Sequence, residues 1–255
     1  DEPTAPKRIA TVEGITEYLP ISSTGHLILT SSFFGINEDP YVKVFNVVIQ
    51  VGAVFAVVVL YWKRFLPQKD FYFRLIAAFF PAAIIGLFLK KKIDLVFGSN
   101  TVVAWALICG GIVLILMDYR EKKGNATSAT TINSLSTKHC LIIGLIQCFA
   151  FVPGVSRAGA TILGGLVVGL NRKEAAEFSF FLAVPTLLGA SVVKGSQIIN
   201  TITADQIKFL AFGTFLSFIV AMIAVRTFIS LLTRNGFTGF GIYRIILGTT
   251  VLLFF

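Results

Sequence analysis

The stretch that decides the fold is residues 13–26, which read EGITEYLPISSTGH. It combines two glutamates, a run of three hydroxyl residues and a histidine within an otherwise apolar neighbourhood. Lipid offers no hydrogen-bond partners, so polar side chains at membrane depth usually face a protein interior or a water-filled cavity and mark function. A second polar segment, PGVSRAGAT at residues 153–161, lies far downstream. We predict that these two polar segments meet and form one site.

The composition is that of an integral membrane protein. Of the 255 residues, 55% are hydrophobic and only 14% are charged, and the mean hydropathy is +0.83. These values are far more apolar than those of an ordinary soluble domain. The formal net charge is +9, but the basic residues occur in short clusters between apolar runs, which is typical of membrane loops. We therefore expect the lipid bilayer as a partner and no nucleic acid.

Eight apolar runs follow the first polar segment, and the longer ones approach the roughly 20 residues that cross a bilayer. They lie at about 42–62, 74–89, 101–117, 139–151, 160–170, 175–193, 207–232 and 237–255. The segments around Pro20 and Pro153 are too short to cross, and proline interrupts each of them. We predict a re-entrant helix hairpin at each of these two prolines.

The two halves of the chain resemble each other on either side of the polar connection at 118–138. One offset of 133 residues brings Pro20 onto Pro153 and Ser23 onto Ser156. Self-similarity at a fixed offset predicts an internal duplication.

The predicted fold is an all-α polytopic membrane protein with two inverted repeats, residues 1–125 and 126–255. Each repeat is expected to be a re-entrant hairpin plus about three transmembrane helices. An odd number of crossings turns the second repeat over, so the broken helices of both repeats face each other near the midplane. Most basic residues then fall on the face opposite the first hairpin, with residues 90–92 as the exception. The positive-inside tendency puts the first hairpin and both termini outside.

Glu13 and Glu17 are four residues apart, so on a helix their carboxylates project from one face. Like charges at this spacing repel unless a divalent cation or a shared proton offsets them. Mg²⁺ or Ca²⁺ is the natural partner of two carboxylates, especially when substrate phosphates complete its shell. The alternative is a pair of solvated surface glutamates, which the apolar flanks disfavour. We predict that these two residues bind a metal ion.

A helix must restart after Pro20, at Ser22, Ser23, Thr24 and Gly25. Small hydroxyl residues and glycine at a helix N-terminus leave backbone N–H groups free for an anion. Ordinary N-capping is the alternative.

His26 lies three residues beyond Ser23 and can reach the same pocket. It is a candidate general acid or base, or a nucleophile toward phosphorus. A structural histidine is the alternative.

Arg157 is the strongest single candidate, because a guanidinium within an apolar hairpin is costly unless it meets an anion. Its planar fork matches phosphate oxygens in a bidentate manner. The alternative is that Arg157 only neutralises Glu13 or Glu17. The other predicted substrate-binding residues are Gly154, Ser156, Thr161 and Gln50, with Asn46 and Glu177 as supporting polar candidates.

Two carboxylates, several hydroxyls, an arginine and a histidine form a set suited to phosphoryl transfer. The membrane environment selects a substrate whose phosphates are carried by a lipid.

At these residues the sequence resembles the undecaprenyl pyrophosphate phosphatases, the bacterial bacitracin-resistance family. The resemblance is carried by ExxxE with LPxSSTGH at 13–26, by PGxSRxxxT at 153–161 and by EFSFxLAVP at 177–185. It implies hydrolysis of undecaprenyl pyrophosphate to the monophosphate and inorganic phosphate, with Mg²⁺ or Ca²⁺, at the outer face of the bacterial cytoplasmic membrane. It also implies recycling of the lipid carrier for peptidoglycan synthesis and resistance to bacitracin.

The resemblance also implies roles for individual residues. Those that match the family's motifs are the acidic pair Glu13 and Glu17, the phosphate-site hydroxyls Ser22, Ser23, Ser156 and Thr161, the histidine His26 and the arginine Arg157. The nucleophile stays open at this point. Ser23 activated by His26, His26 itself and a metal-bound water are all chemically sensible.

A lipid-phosphate flippase or transporter is the alternative function, because inverted repeats with broken helices are common in transporters. Transport needs no acid–base or metal set, so the glutamates and His26 favour an enzyme. The other membrane superfamily of lipid phosphatases requires a second histidine after the arginine, and none follows Arg157. The sequence does not define the oligomeric state, and a homodimer is kept as an alternative.

Overall fold

A computed structural model describes residues 5–66, 68–96, 99–123, 130–196, 198 and 202–254. Its regular secondary structure, within these residues, is entirely helical. The α-helices are α1 Ala5–Thr16, α2 Ser23–Phe33, α3 Pro40–Val48, α4 Gln50–Leu60, α5 Lys69–Val96, α6 Asn100–Lys123, α7 Thr137–Gln147, α8 Arg157–Val167, α9 Arg172–Gly195, α10 Ala204–Asn235 and α11 Thr238–Phe254.

Five stretches of helix among the described residues are long and apolar enough to cross a membrane. They are Pro40–Leu60, Lys69–Leu89, Asn100–Glu121, Arg172–Gly195 and Ala204–Asn235. Many large apolar side chains on their outer faces are exposed, Phe88 and Phe215 among them, as expected of lipid-facing surfaces. The predicted all-α, multi-pass membrane architecture is confirmed at this level. The polar run at 124–129 lies outside the described residues.

The two short helix pairs predicted around the prolines are present. Helices α1 and α2 have 12 and 11 residues, and α7 and α8 have 11 each. Ser22 caps α2 by accepting from Gly25 N, and Ser156 caps α8 by accepting from Gly159 N. The two capping serines are 134 residues apart, one more than the offset that aligns Ser23 with Ser156. The internal duplication itself stays a prediction.

The turns of the two hairpins pack directly against each other and against α6. A Cβ atom added to Gly25 would lie 3.5 Å from Gly154 Cα. Gly154 has φ +96°, and a Cβ atom there would lie 2.6 Å from the carbonyl oxygen of Val103. Glycine is therefore required at this contact, because it tolerates positive φ and has no side chain to clash.

Candidate active site

An ion pair joins the two polar segments. Arg157 Nη2 lies 2.6 Å from Glu17 Oε1, and Ser23 Oγ donates a hydrogen bond to the other carboxylate oxygen of Glu17. Glu17 and Ser23 are both buried. The structure thus brings together three of the predicted site residues, one from the second polar segment and two from the first.

Arg157 is held from several sides. Its Nη1 donates to the carbonyl oxygen of Ser179 at 3.1 Å, and its guanidinium carbon lies 5.7 Å from the centre of the Tyr18 ring. Thr161 and Ser179 share a hydrogen bond of 2.6 Å behind it. Arg157 Nε is buried without a hydrogen-bond partner among the described residues, so this guanidinium keeps capacity for a further acceptor.

Ser179 was not predicted as a site residue, although it lies within the EFSFxLAVP motif. It is fully buried on α9. The only signal in the sequence was its place in that motif, because a serine in an apolar helix is otherwise common. Its carbonyl oxygen accepts from Arg157, and its hydroxyl group hydrogen-bonds to Thr161, so both groups contact the second polar segment.

Glu13 lies one turn before Glu17 and is completely buried. Neither of its carboxylate oxygens has a hydrogen-bond partner within the described residues, and its carboxylate interacts electrostatically with Glu17 and Arg157. A buried carboxylate without partners is costly. A bound cation or a proton would remove that cost, so the donor set fits the predicted metal ion.

The protein side of such a metal site would be small. Within the described ranges, no group of three or more His, Cys, Asp or Glu side chains lies close enough to hold one ion. Two carboxylates with water and substrate oxygens are nevertheless the usual arrangement for Mg²⁺, which retains much of its hydration.

Thr24 and Gln50 line a cavity of about 430 Å³, and Thr24 directly follows Ser23 in the chain. Most of its wall is apolar and comes from α2, α3, α5 and α9, including Leu27, Ile28, Phe79, Leu87 and Val193. Asn46 also lines it and donates to Ser31 Oγ at 3.1 Å. The structure therefore places predicted polar residues in the wall of a mainly apolar cavity.

His26 does not pair with Ser23, so the expected Ser23–His26 couple is not formed. His26 Nδ1 lies 2.8 Å from the carbonyl oxygen of Ser22, and Nε2 lies 2.7 Å from the hydroxyl of Tyr243. The His26 ring instead lines a second groove of about 640 Å³, together with Lys7 and Arg8. The partner of Ser23 is Glu17.

Glu177 does not support the site either. It is only half-buried, and it interacts electrostatically with Lys173, Arg64 and Tyr61. It therefore belongs to a charged cluster at the start of α9 rather than to the surroundings of Arg157.

Arg244 was missed by the sequence reasoning. Its guanidinium, 2% exposed, donates to the carbonyl oxygens of Pro20 and Gly154 at 2.9 and 3.0 Å, one in each hairpin turn. It also donates to Ala106 and Leu107 of α6. The available signal was an arginine inside the last apolar run, a costly residue at that depth.

Comparison with known proteins agrees with the motifs. The family model described as "Bacitracin resistance protein BacA" matches residues 8–250. An undecaprenyl-diphosphatase of Bdellovibrio bacteriovorus is 51% identical over 242 residues, covering 95% of this chain and 92% of the relative. One from Flavobacterium johnsoniae is 50% identical, with 96% and 93% covered, and one from Aquifex aeolicus is 44% identical, with 96% and 95% covered.

Proposed function

Because the chain belongs to the bacitracin resistance protein BacA family, we propose that it hydrolyses undecaprenyl pyrophosphate to undecaprenyl phosphate and inorganic phosphate. The observation that carries this proposal is the buried set of Arg157, Glu17 and Ser23. It combines a phosphate-binding group, a base and a nucleophile. The activity would recycle the lipid carrier for peptidoglycan synthesis and protect against bacitracin.

The hydrogen bond from Ser23 to Glu17 supports Ser23 as the nucleophile among the three groups left open. Ser23 Oγ attacks the terminal phosphorus, its proton passes to Glu17, and the bond to the bridging oxygen breaks. Undecaprenyl phosphate leaves with that oxygen. Water then attacks the phosphorus of the phosphoserine, Ser23 Oγ leaves with the proton that Glu17 took from it in the first step, and inorganic phosphate, free Ser23 and ionised Glu17 are produced.

The leaving group needs little help in this reaction. The second pKa of a phosphate monoester is about 6, so undecaprenyl phosphate departs at neutral pH without being protonated. The first step consequently requires a base for Ser23 but no strong general acid, and in the second step the protonated Glu17 is the acid for the departing Ser23.

Charge on the diphosphate is met by Arg157 and by the N-termini of α2 and α8, whose Ser22 and Ser156 caps lie at the two adjoining turns. A divalent cation held by Glu13 and Glu17 would supply further neutralisation of the phosphate oxygens. The buried oxygens of Glu13 that lack partners support this assignment.

The apolar cavity beside Thr24 and Gln50 suits the lipid part of the substrate. We place the first isoprenoid units there, since burial of apolar surface favours binding and Thr24, which lines the cavity, directly follows Ser23.

The order of the helices supports the inverted-repeat topology. Each half has two short helices followed by three longer helical stretches, α1–α6 in the first and α7–α11 in the second. The proposed boundary lies between residues 125 and 126, in the connection between α6 and α7. With the first hairpin outside, the site faces the exterior of the cytoplasmic membrane. Homodimer formation stays a prediction.

The test is phosphate release from undecaprenyl pyrophosphate by the purified protein in detergent. Glu17→Ala and Arg157→Ala should each lower kcat/KM at least about 100-fold, since each removes a group that acts in the transition state. The matched control is the exposed ion pair of Glu38 and Lys43, whose alanine variants should retain parental activity. Chelation with EDTA should abolish hydrolysis, and added Mg²⁺ or Ca²⁺ should restore it.

Two outcomes would contradict the proposal. Parental hydrolysis in both the Glu17 and the Arg157 variant would remove the catalytic assignment. A parent protein that moves labelled undecaprenyl phosphate across vesicles without hydrolysing the diphosphate would identify a transporter.

A further inference from the structure

The residue just before the proposed nucleophile has a strained backbone. Ser22 has φ 72° and ψ 87°, and it is the only non-glycine residue with positive φ in the part of the chain that the structure describes. L-residues adopt this region rarely, and such strain persists only where surrounding contacts enforce it. The direction in which Ser23 leaves the turn depends on this conformation.

His26 supplies the enforcing contact. The carbonyl oxygen of Ser22 accepts from the backbone N of His26 at 3.1 Å and lies 2.8 Å from His26 Nδ1. A carbonyl oxygen can only accept, so Nδ1 carries the proton in this contact. Two donors from one residue therefore hold the Ser22 carbonyl in place.

Tyr243 fixes the ring that makes this contact. With the proton on Nδ1, Nε2 of a neutral imidazole is an acceptor, and the Tyr243 hydroxyl lies 2.7 Å away to donate to it. The two rings are also stacked, with centroids 5.7 Å apart and planes 10° apart. Both nitrogens of His26 are thus engaged in holding the turn, one directly and one through the tyrosine.

We infer that His26 and Tyr243 are positioning residues, which hold the strained Ser22 turn so that Ser23 stays on Glu17, and that His26 transfers no proton in the reaction. The inference rests on the proposed function and changes the role of its histidine. His26 lines a different groove from the cavity at Thr24, and Glu17, the partner of Ser23 Oγ, can both take the serine proton and return it.

The test compares two replacements of His26 by kcat, KM and the pH dependence of kcat. In His26→Asn, the amide Nδ2–H can still donate to the Ser22 carbonyl, but the residue no longer titrates. We expect this variant to stay within about 10-fold of the parent and to keep every limb of its pH profile, whereas His26→Ala falls by about 100-fold. KM should change little in both.

Tyr243→Phe is a second, independent variant at a position that is partly exposed and therefore tolerant of change. It should lower kcat about 3- to 10-fold by freeing the His26 ring. Tyr72→Phe is its matched control, since the Tyr72 hydroxyl also donates one hydrogen bond, but to the backbone carbonyl of Phe65, away from the site. It should leave kcat unchanged.

The inference would be overturned if the parent is active, the His26→Asn variant is as inactive as His26→Ala, and any residual activity has lost one limb of the pH profile. That result would make His26 a proton donor or acceptor. Tyr243→Phe with parental kcat would also overturn it for the tyrosine. A parent protein without hydrolysis would instead overturn the proposed function on which the inference rests.

Discussion

Arg157 and Arg244 keep a guanidinium inside the protein in two different ways. Arg157 meets the carboxylate of Glu17 and retains a buried Nε without a partner among the described residues. Arg244 gives its hydrogen bonds to four backbone carbonyls and to no carboxylate within the described chain. A buried donor that still lacks an acceptor indicates a place for a ligand, whereas a fully bonded guanidinium indicates a structural role.

Gly154 gives a prediction at this scale. Gly154→Ala should destabilise the protein by several kcal/mol, because the residue has φ +96° and the new Cβ would lie 2.6 Å from Val103 O. Gly35→Ala is the control, because Gly35 has φ +70° with no atom within 4 Å of the new Cβ. It should cost only about 1–2 kcal/mol.

Thermal unfolding in detergent would measure both glycine variants. Equal stability losses in the two would show that backbone strain alone accounts for Gly154, without the close approach of α6.

The sequence was sufficient to predict that Glu17, Ser23 and Arg157 lie together, because charged and hydroxyl residues are rare in apolar sequence. It could not identify Arg244, whose partners are backbone carbonyls that any residue type provides. The short separation of Ser23 and His26 in the sequence also suggested that their side chains could pair. The carbonyl of Ser22, four residues before His26, captures the ring instead.

At the scale of elements, α11 connects parts of the chain that are distant in sequence. It packs along α6. Two adjacent residues of α11 reach the hairpins: Tyr243 contacts His26, and Arg244 contacts both hairpin turns. Gly110 of α6 makes room for the guanidinium, since a Cβ there would lie 2.1 Å from Arg244 Nη2. The last helix therefore supports a site whose principal residues lie on α2, α8 and the first hairpin turn.

Arg244→Lys tests this support. Lysine keeps the charge but cannot reach four carbonyls with a rigid fork, so buried acceptors lose their partners and the protein should lose about 2–4 kcal/mol of stability. Arg226→Lys, at an exposed position on α10, should have no effect. Urea unfolding in detergent followed by tryptophan fluorescence would compare the two, and matching midpoints would refute the role of Arg244.

A second ion-pair network joins other helix ends. Arg172 at the start of α9 contacts Asp118 at 2.7 Å and also donates to Glu121, both near the end of α6. Thr238 at the start of α11 donates to the second Asp118 oxygen at 2.5 Å. The charged groups of this network are paired with one another, so we assign the network to stability rather than to ligand binding.

At the scale of the whole molecule, hydropathy and proline positions were enough to predict the spans and the two short helix pairs. The sequence alone does not define the residue-by-residue alignment of the two halves, because apolar segments align almost equally well at neighbouring offsets. The contact between the hairpin turns also depends on how α6 and α11 pack, which no local pattern encodes.

The proposed inverted topology predicts which loops face outside. In a variant without Cys109, Cys140 and Cys148, a cysteine introduced at Glu38 should react with a membrane-impermeant maleimide in intact cells. A cysteine at Asn235 should react only after the membrane is opened. Both positions are exposed, so accessibility within the protein does not separate them. Labelling of both in intact cells would contradict the topology.

The contact between Arg157 and Glu17 means that the guanidinium carries its own counter-ligand. A dissolved anion that binds at Nη2 must displace a carboxylate of the same polypeptide, which is tethered and always present. A lipid-borne diphosphate brings a second phosphate group and a membrane-anchored tail to that competition, whereas orthophosphate has neither. We therefore expect the released ion to rebind weakly, so that turnover continues as it accumulates.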